Sequence, residues 1–74
     1  MAWGFWSKND GKFIRYYDVC NENMKEGFCL YKYDSELEAI GELQFKEIVY
    51  SRSFNDWEVM ELPADEPEWV FFDD

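Results

Sequence analysis

Short apolar runs alternate with clusters of turn-forming residues along most of this chain. Trp3 to Ser7 is aromatic, Lys8-Asn9-Asp10-Gly11-Lys12 is a turn signal, and Lys12 to Cys20 is rich in Tyr, Phe, Ile and Val. The pattern predicts a β-hairpin. A type I turn with Gly11 in the left-handed conformation pairs Lys8 with Lys12, Trp6 with Ile14 and Trp3 with Tyr17. Asn21 to Gly27 is a polar loop, and Phe28 to Tyr33 then alternates Phe28, Leu30 and Lys32 against Cys29, Tyr31 and Tyr33. This period of two predicts a third strand, antiparallel to the second.

Two patterns compete between Asp34 and Glu47. Ser35 followed by Glu38 fits a capping box, with Leu37, Ile40 and Leu43 at helical spacing, but Gly41 in mid-helix costs about 1 kcal/mol relative to Ala. The alternative is a turn at Asp34 to Leu37 followed by a strand with Gly41, Leu43 and Phe45 on one face and Glu42, Gln44 and Lys46 on the other. The alternation favours the strand. Ile48 to Phe54 alternates and is β-branched, Asn55-Asp56 is a turn, and Trp57 to Leu62 alternates again, which predicts a second hairpin. Pro63 to Pro67 then interrupts regular structure by removing two backbone donors. The fold class expected is mainly β, a single small antiparallel meander of five to six strands with an aromatic core. A helix at 35–47 would make it α+β. Residues 1–62 form the β domain, and 63–74 form an acidic-aromatic tail docked on the domain or on a partner. Trp6, Ile14, Leu30, Leu43, Phe45, Val49 and Val59 fall on the apolar sides of these strands and are the expected core.

Size makes the aromatic content matter. A chain of 74 residues buries only about 60 to 65 per cent of its unfolded surface. Four Trp, five Tyr and seven Phe supply the core density that length alone does not.

Charge is unevenly spread. Residues 1–33 carry five basic against four acidic side chains, whereas residues 34–74 carry Lys46 and Arg52 against thirteen carboxylates, within a net charge of −10. Such a field repels nucleic acid and anionic membrane and speeds encounter with a basic protein surface. The plainer role of the same charge is solubility for an aromatic-rich chain. No apolar stretch reaches the roughly 18 residues that span a bilayer, and the N-terminus lacks the pattern of a signal peptide. A cytoplasmic location is expected, with Cys20 and Cys29 reduced, although a bridge across the Asn21 to Gly27 loop is the alternative.

Histidine is absent. That removes the commonest general base, the commonest metal ligand and the Ser/His and Cys/His nucleophile arrangements. Two cysteines alone cannot complete a zinc site, and the four scattered glycines form no phosphate loop. No enzyme, cofactor or metal is therefore expected. The expected function is binding: an inhibitor or antitoxin-like protein, such as a phage-type antagonist of host defence, that presents carboxylates to a basic, nucleic-acid-binding protein. Glu42, Glu47, Glu58 and Glu61 would supply that face with Asp65, Glu66, Glu68, Asp73 and Asp74. Trp69, Phe71 and Phe72 in the tail would dock into a partner groove. The alternative is an accessory interaction module with an aromatic surface, its acidity serving solubility only. Either would act as a monomer or homodimer.

Overall fold

The computed structural model describes residues 1–72, and among them the fold is mainly β: two three-stranded antiparallel sheets and one helix. The first sheet has β1 (Trp3–Ser7) at its centre, flanked by β2 (Lys12–Phe13) and β5 (Trp57–Glu61). The second is ordered β3 (Arg15–Cys20), β4 (Lys25–Leu30), β6 (Trp69–Phe71). The helix, α1 (Glu36–Val49), packs against β1 and β5.

The expected single meander is thus divided in two, and Ile14 is where the division falls. Its N–H donates to the Phe5 carbonyl at 2.8 Å, in the first sheet, and the next residue begins β3 in the second. The first turn is also one residue longer than predicted. Gly11 is left-handed as expected (φ 65°), but Ser7, not Lys8, stands opposite Lys12, so Trp6 faces Phe13 rather than Ile14. Ser7 explains the register: it is fully buried, its Oγ accepts the Asp10 N–H and donates to the Asp10 carboxylate, and its carbonyl accepts the Gly11 N–H. The next hairpin is tighter than expected, with β4 starting at Lys25 and ending at Leu30. Tyr33 no longer belongs to that strand and bridges Trp3 instead, through two backbone hydrogen bonds of 2.9 Å.

The largest correction lies between residues 35 and 56, where a helix replaces the predicted strand. Ser35 is the N-cap and accepts the Glu38 N–H at 3.1 Å, with Glu36 and Glu38 in the first turn and Lys46 in the last, both favourable to the helix dipole. The helix continues through Ile48 and Val49, so the hairpin predicted from Ile48 does not form. It stops at Ser51, left-handed at φ 52°, where the Arg52 N–H returns to the Glu47 carbonyl. Glu47 Oε2 then accepts the Phe54 N–H at 3.0 Å and fixes the loop that follows. Freed from a local hairpin, β5 pairs with β1 over five positions, Phe5 opposite Val59.

Phe5, fully buried, is the centre of the core. Its ring lies 5.3 Å from Tyr31, 5.4 Å from Tyr33 and 6.0 Å from Trp57, and Trp57 stacks on Phe54 at 4.7 Å. Leu30 is buried as expected and Trp6, Ile14, Leu43 and Val59 are half-buried. Phe45 and Val49 are not core residues: they are exposed, because the helix turns them away from the sheet.

Candidate binding surfaces

Helical geometry divides the apolar residues of α1 into two faces. Ala39 is fully buried and Ile40 and Leu43 are half-buried, which marks the inner face. Leu37, Gly41, Phe45 and Ile48 stand at i, i+4, i+8 and i+11, one stripe of a 3.6-residue helix, with Val49 beside them. That stripe meets solvent: Leu37 is 81% exposed, Ile48 76%, Phe45 61% and Val49 56%. Isolated exposed leucines are ordinary on a small protein, but a contiguous apolar stripe along one helix is the kind of surface that marks an interaction site.

The electrostatics of this face are one-sided. Glu38 and Glu42 follow Leu37 and Phe45 around the helix and edge the stripe with carboxylates. The only cation of α1, Lys46, is turned inward, its Nζ 4.6 Å from the centre of the Tyr31 ring. Tyr33 reports the negative field from below: burial first, then Glu42, Tyr31 and Glu38, pushes its hydroxyl up to about 12.

Several acids expected to face a partner are engaged within the chain. Glu58 pairs with Lys8 at 3.5 Å, Glu66 with Arg15 at 2.9 Å and Glu68 with Lys32 at 3.8 Å. Glu47 caps the loop at Phe54. Glu42, Glu61 and Asp65 are exposed, but they lie on the helix, on β5 and in the connector respectively. Asp73 and Asp74 lie outside the described residues.

The tail is held to the domain at two levels. Arg15, in β3, donates to the Glu66 carboxylate, to the Pro67 carbonyl at 2.6 Å and to the Glu68 carbonyl at 3.3 Å. Beyond this clamp, β6 pairs with β4, Trp69 opposite Cys29 and Phe71 opposite Gly27. Trp69 and Phe71 stack on each other at 5.4 Å on one face of the sheet, with Lys25 over the Phe71 ring. Phe72 joins Phe28 at 5.1 Å and Tyr17 at 6.0 Å. The three tail rings are thus not brought into one cluster.

Sequence reasoning missed Leu37, Gly41, Phe45 and Ile48 as surface residues. The helical spacing groups Leu37 with Ile40 and Leu43, whereas the structure puts Ala39 with Ile40 and Leu43 on the inner face and leaves Leu37 outside. Two apolar sets at different phases on one helix are the signal of two packing partners. A groove of about 760 Å³ is also present between the sheets, lined by Trp6, Phe13, Ile14, Phe28, Pro67 and Val70.

Cys20 and Cys29 are free thiols. Cys20 stands opposite Lys25 and Cys29 opposite Tyr16, four ladder positions apart. That separation is roughly 13 Å along a strand, too far for a disulfide. Among the described residues no group of three His, Cys, Asp or Glu is placed to hold a metal, and no helix is long and apolar enough to cross a membrane. No family model matches the chain, and the comparisons with curated proteins and with solved structures give no match either.

Proposed function

We propose that this protein is a binding module that docks a basic protein surface on the outward face of α1. The observation that carries the proposal is the stripe of Leu37, Phe45 and Ile48, open to solvent along a well-capped helix and edged by Glu38 and Glu42. Apolar contact would supply the affinity, and the acidic rim and net charge of −10 would supply steering and selection of a cationic partner. Inhibition or antagonism of a basic, nucleic-acid-binding protein follows if that partner uses the same cationic surface for its own ligand. A docking face made of carboxylates alone has less support, since Glu58, Glu66 and Glu68 are paired with the chain's own cations.

The test is a fluorescence-anisotropy titration with a labelled synthetic peptide of leucine and lysine, patterned as a basic amphipathic helix. Ile48→Asp should weaken binding at least tenfold, although the added negative charge alone would strengthen attraction to a cation. Tyr17→Asp, on the second sheet, should not weaken it. Equal affinity of Ile48→Asp and the parent would remove α1 as the docking face.

A further inference from the structure

We infer that the partner segment docked on α1 is itself an α-helix, basic on its flanks, and that it crosses α1 over Gly41. The inference rests on the outward face of α1 being the docking surface, and it adds the secondary structure of the occupant and the point of closest approach.

Gly41 has no evident role within its own fold. A Cβ built on it meets nothing within 4 Å, it lies in mid-helix, and its φ is not in the positive range that favours glycine. Glycine in a helix interior is disfavoured relative to alanine, by lost backbone entropy and an exposed backbone. The chain therefore carries a helix-weakening residue at a position where alanine would fit without displacing any atom. The intramolecular contacts do not explain it, whereas the outer surface gives it a function.

Gly41, Gln44, Phe45 and Ile48 stand at i, i+3, i+4 and i+7, the four corners of the hole that receives a side chain from a crossing helix. With no side chain at one corner, the hole is deepened to the backbone of α1. Leu37 and Phe45, one turn to either side, wall it. A bulky side chain seated there lets two helix axes approach closely, as small residues do wherever helices pack tightly. An extended strand has no matching periodicity, because its side chains repeat every two residues and meet a helical stripe at only one or two points.

Charge selects the partner. A second copy of this chain would bring Glu38 and Glu42 against the same acidic rim, under mutual repulsion of two molecules of net charge −10. A helix flanked by Lys or Arg meets opposite charge on that rim instead. With Lys46 turned inward over Tyr31, α1 offers it no competing cation.

Two peptides of identical leucine and lysine composition decide the matter, one patterned with a helical period and one strictly alternating as a strand, titrated against the full chain. The helical peptide should bind at least tenfold more tightly. Gly41→Ala should weaken it several-fold and Gly41→Gln more than tenfold, while both variants raise the melting temperature, Gly41→Ala by roughly 4 to 8 °C. Rising stability with falling affinity separates a filled hole from a damaged fold. Equal binding of the two peptides, or a Gly41→Gln variant that binds as the parent does, would overturn the helix crossing. Should Ile48→Asp still abolish binding in that case, the docking face stands and only the shape of its occupant is wrong.

Discussion

Gly27 stands opposite Phe71 in the ladder between β4 and β6, and the two backbones approach too closely there for any side chain. A Cβ at Gly27 would lie 2.5 Å from the Val70 carbonyl oxygen and 3.0 Å from the Phe71 Cα. Those neighbours are main-chain atoms, so a rotamer change cannot relieve the clash. Gly27→Ala should push β6 off the sheet, at a cost of about 1 to 3 kcal/mol for an overpacked contact. Limited proteolysis should then cut the connector around Pro63 to Pro67 much faster than in the parent. An unchanged cleavage rate would mean that β6 shifts along β4 rather than leaving it.

Two phenylalanines differ in the opposite sense to the one their sequence context implies. Phe5→Ala should cost about 3 to 5 kcal/mol, because Phe5 is fully buried among Tyr31, Tyr33 and Trp57. Small domains hold only about 5 to 15 kcal/mol in total, so the loss removes a large share of the folding free energy. Phe45→Ala should change stability by less than about 0.5 kcal/mol, since Phe45 is 61% exposed. Chemical denaturation of both variants, followed by tryptophan fluorescence, gives the comparison. A large loss at Phe45 would show that its ring is part of the core.

Alkaline pH should unfold the protein through its tyrosines. Burial pushes the Tyr33 hydroxyl up to about 12, and a hydrogen bond with Cys29 followed by burial does the same for Tyr16. A folded pKa above the ordinary value of 10 means that the native state holds the proton more tightly than the unfolded chain. The resulting stability is intact below about pH 10 and is lost as pH climbs toward 12. Tyr33→Phe should flatten the fall of melting temperature over this range. A variant with the parent's alkaline profile would assign that fall to other groups.

Added salt should stabilise the fold. Thirteen carboxylates against Lys46 and Arg52 after residue 33 make self-repulsion the dominant long-range term, and salt screens it within a Debye length of about 8 to 10 Å at moderate ionic strength. The ion pairs at Lys8–Glu58 and Lys32–Glu68 are exposed, so their loss to screening is small. The melting temperature should rise with NaCl. A fall would show that internal pairing outweighs repulsion.

Local sequence rules carried as far as the turns and caps. The left-handed Gly11 turn and the mainly β composition could be read directly, and the Ser35 cap was recognisable, because each depends on a few adjacent residues. Alternation at Gly41, Leu43 and Phe45 suggested a strand, yet the Ser35 cap, the acidic first turn and the packing of Ala39, Ile40 and Leu43 fix a helix there. The register of the first hairpin was off by one residue because it depends on the buried Ser7 side chain, whose bond to Asp10 lengthens the turn. The switch of sheet at Ile14 depends on Phe5 and on distant partners, which no local pattern encodes. At the candidate site, the acidity was evident, but which acids remain unengaged is decided by Lys8, Arg15 and Lys32, contributed by the more basic half of the chain.

The order of events in folding follows from the pairing of β1 with β5. Phe5 and Val59 are 54 positions apart in sequence, so the central strand of the first sheet gains its long partner only by closing most of the chain into a loop. The second sheet differs, because β3 and β4 are joined by a four-residue turn and pair over six positions. Loop closure is entropically costly before its contacts form, whereas a hairpin forms in about 1 to 10 μs. The β3–β4 hairpin and α1 can therefore appear early, with Phe5 left without the Trp57 ring until β5 arrives. With β5 docking late, Val19→Ala should slow folding in proportion to the stability it removes, whereas Val59→Ala should lower stability chiefly by speeding unfolding.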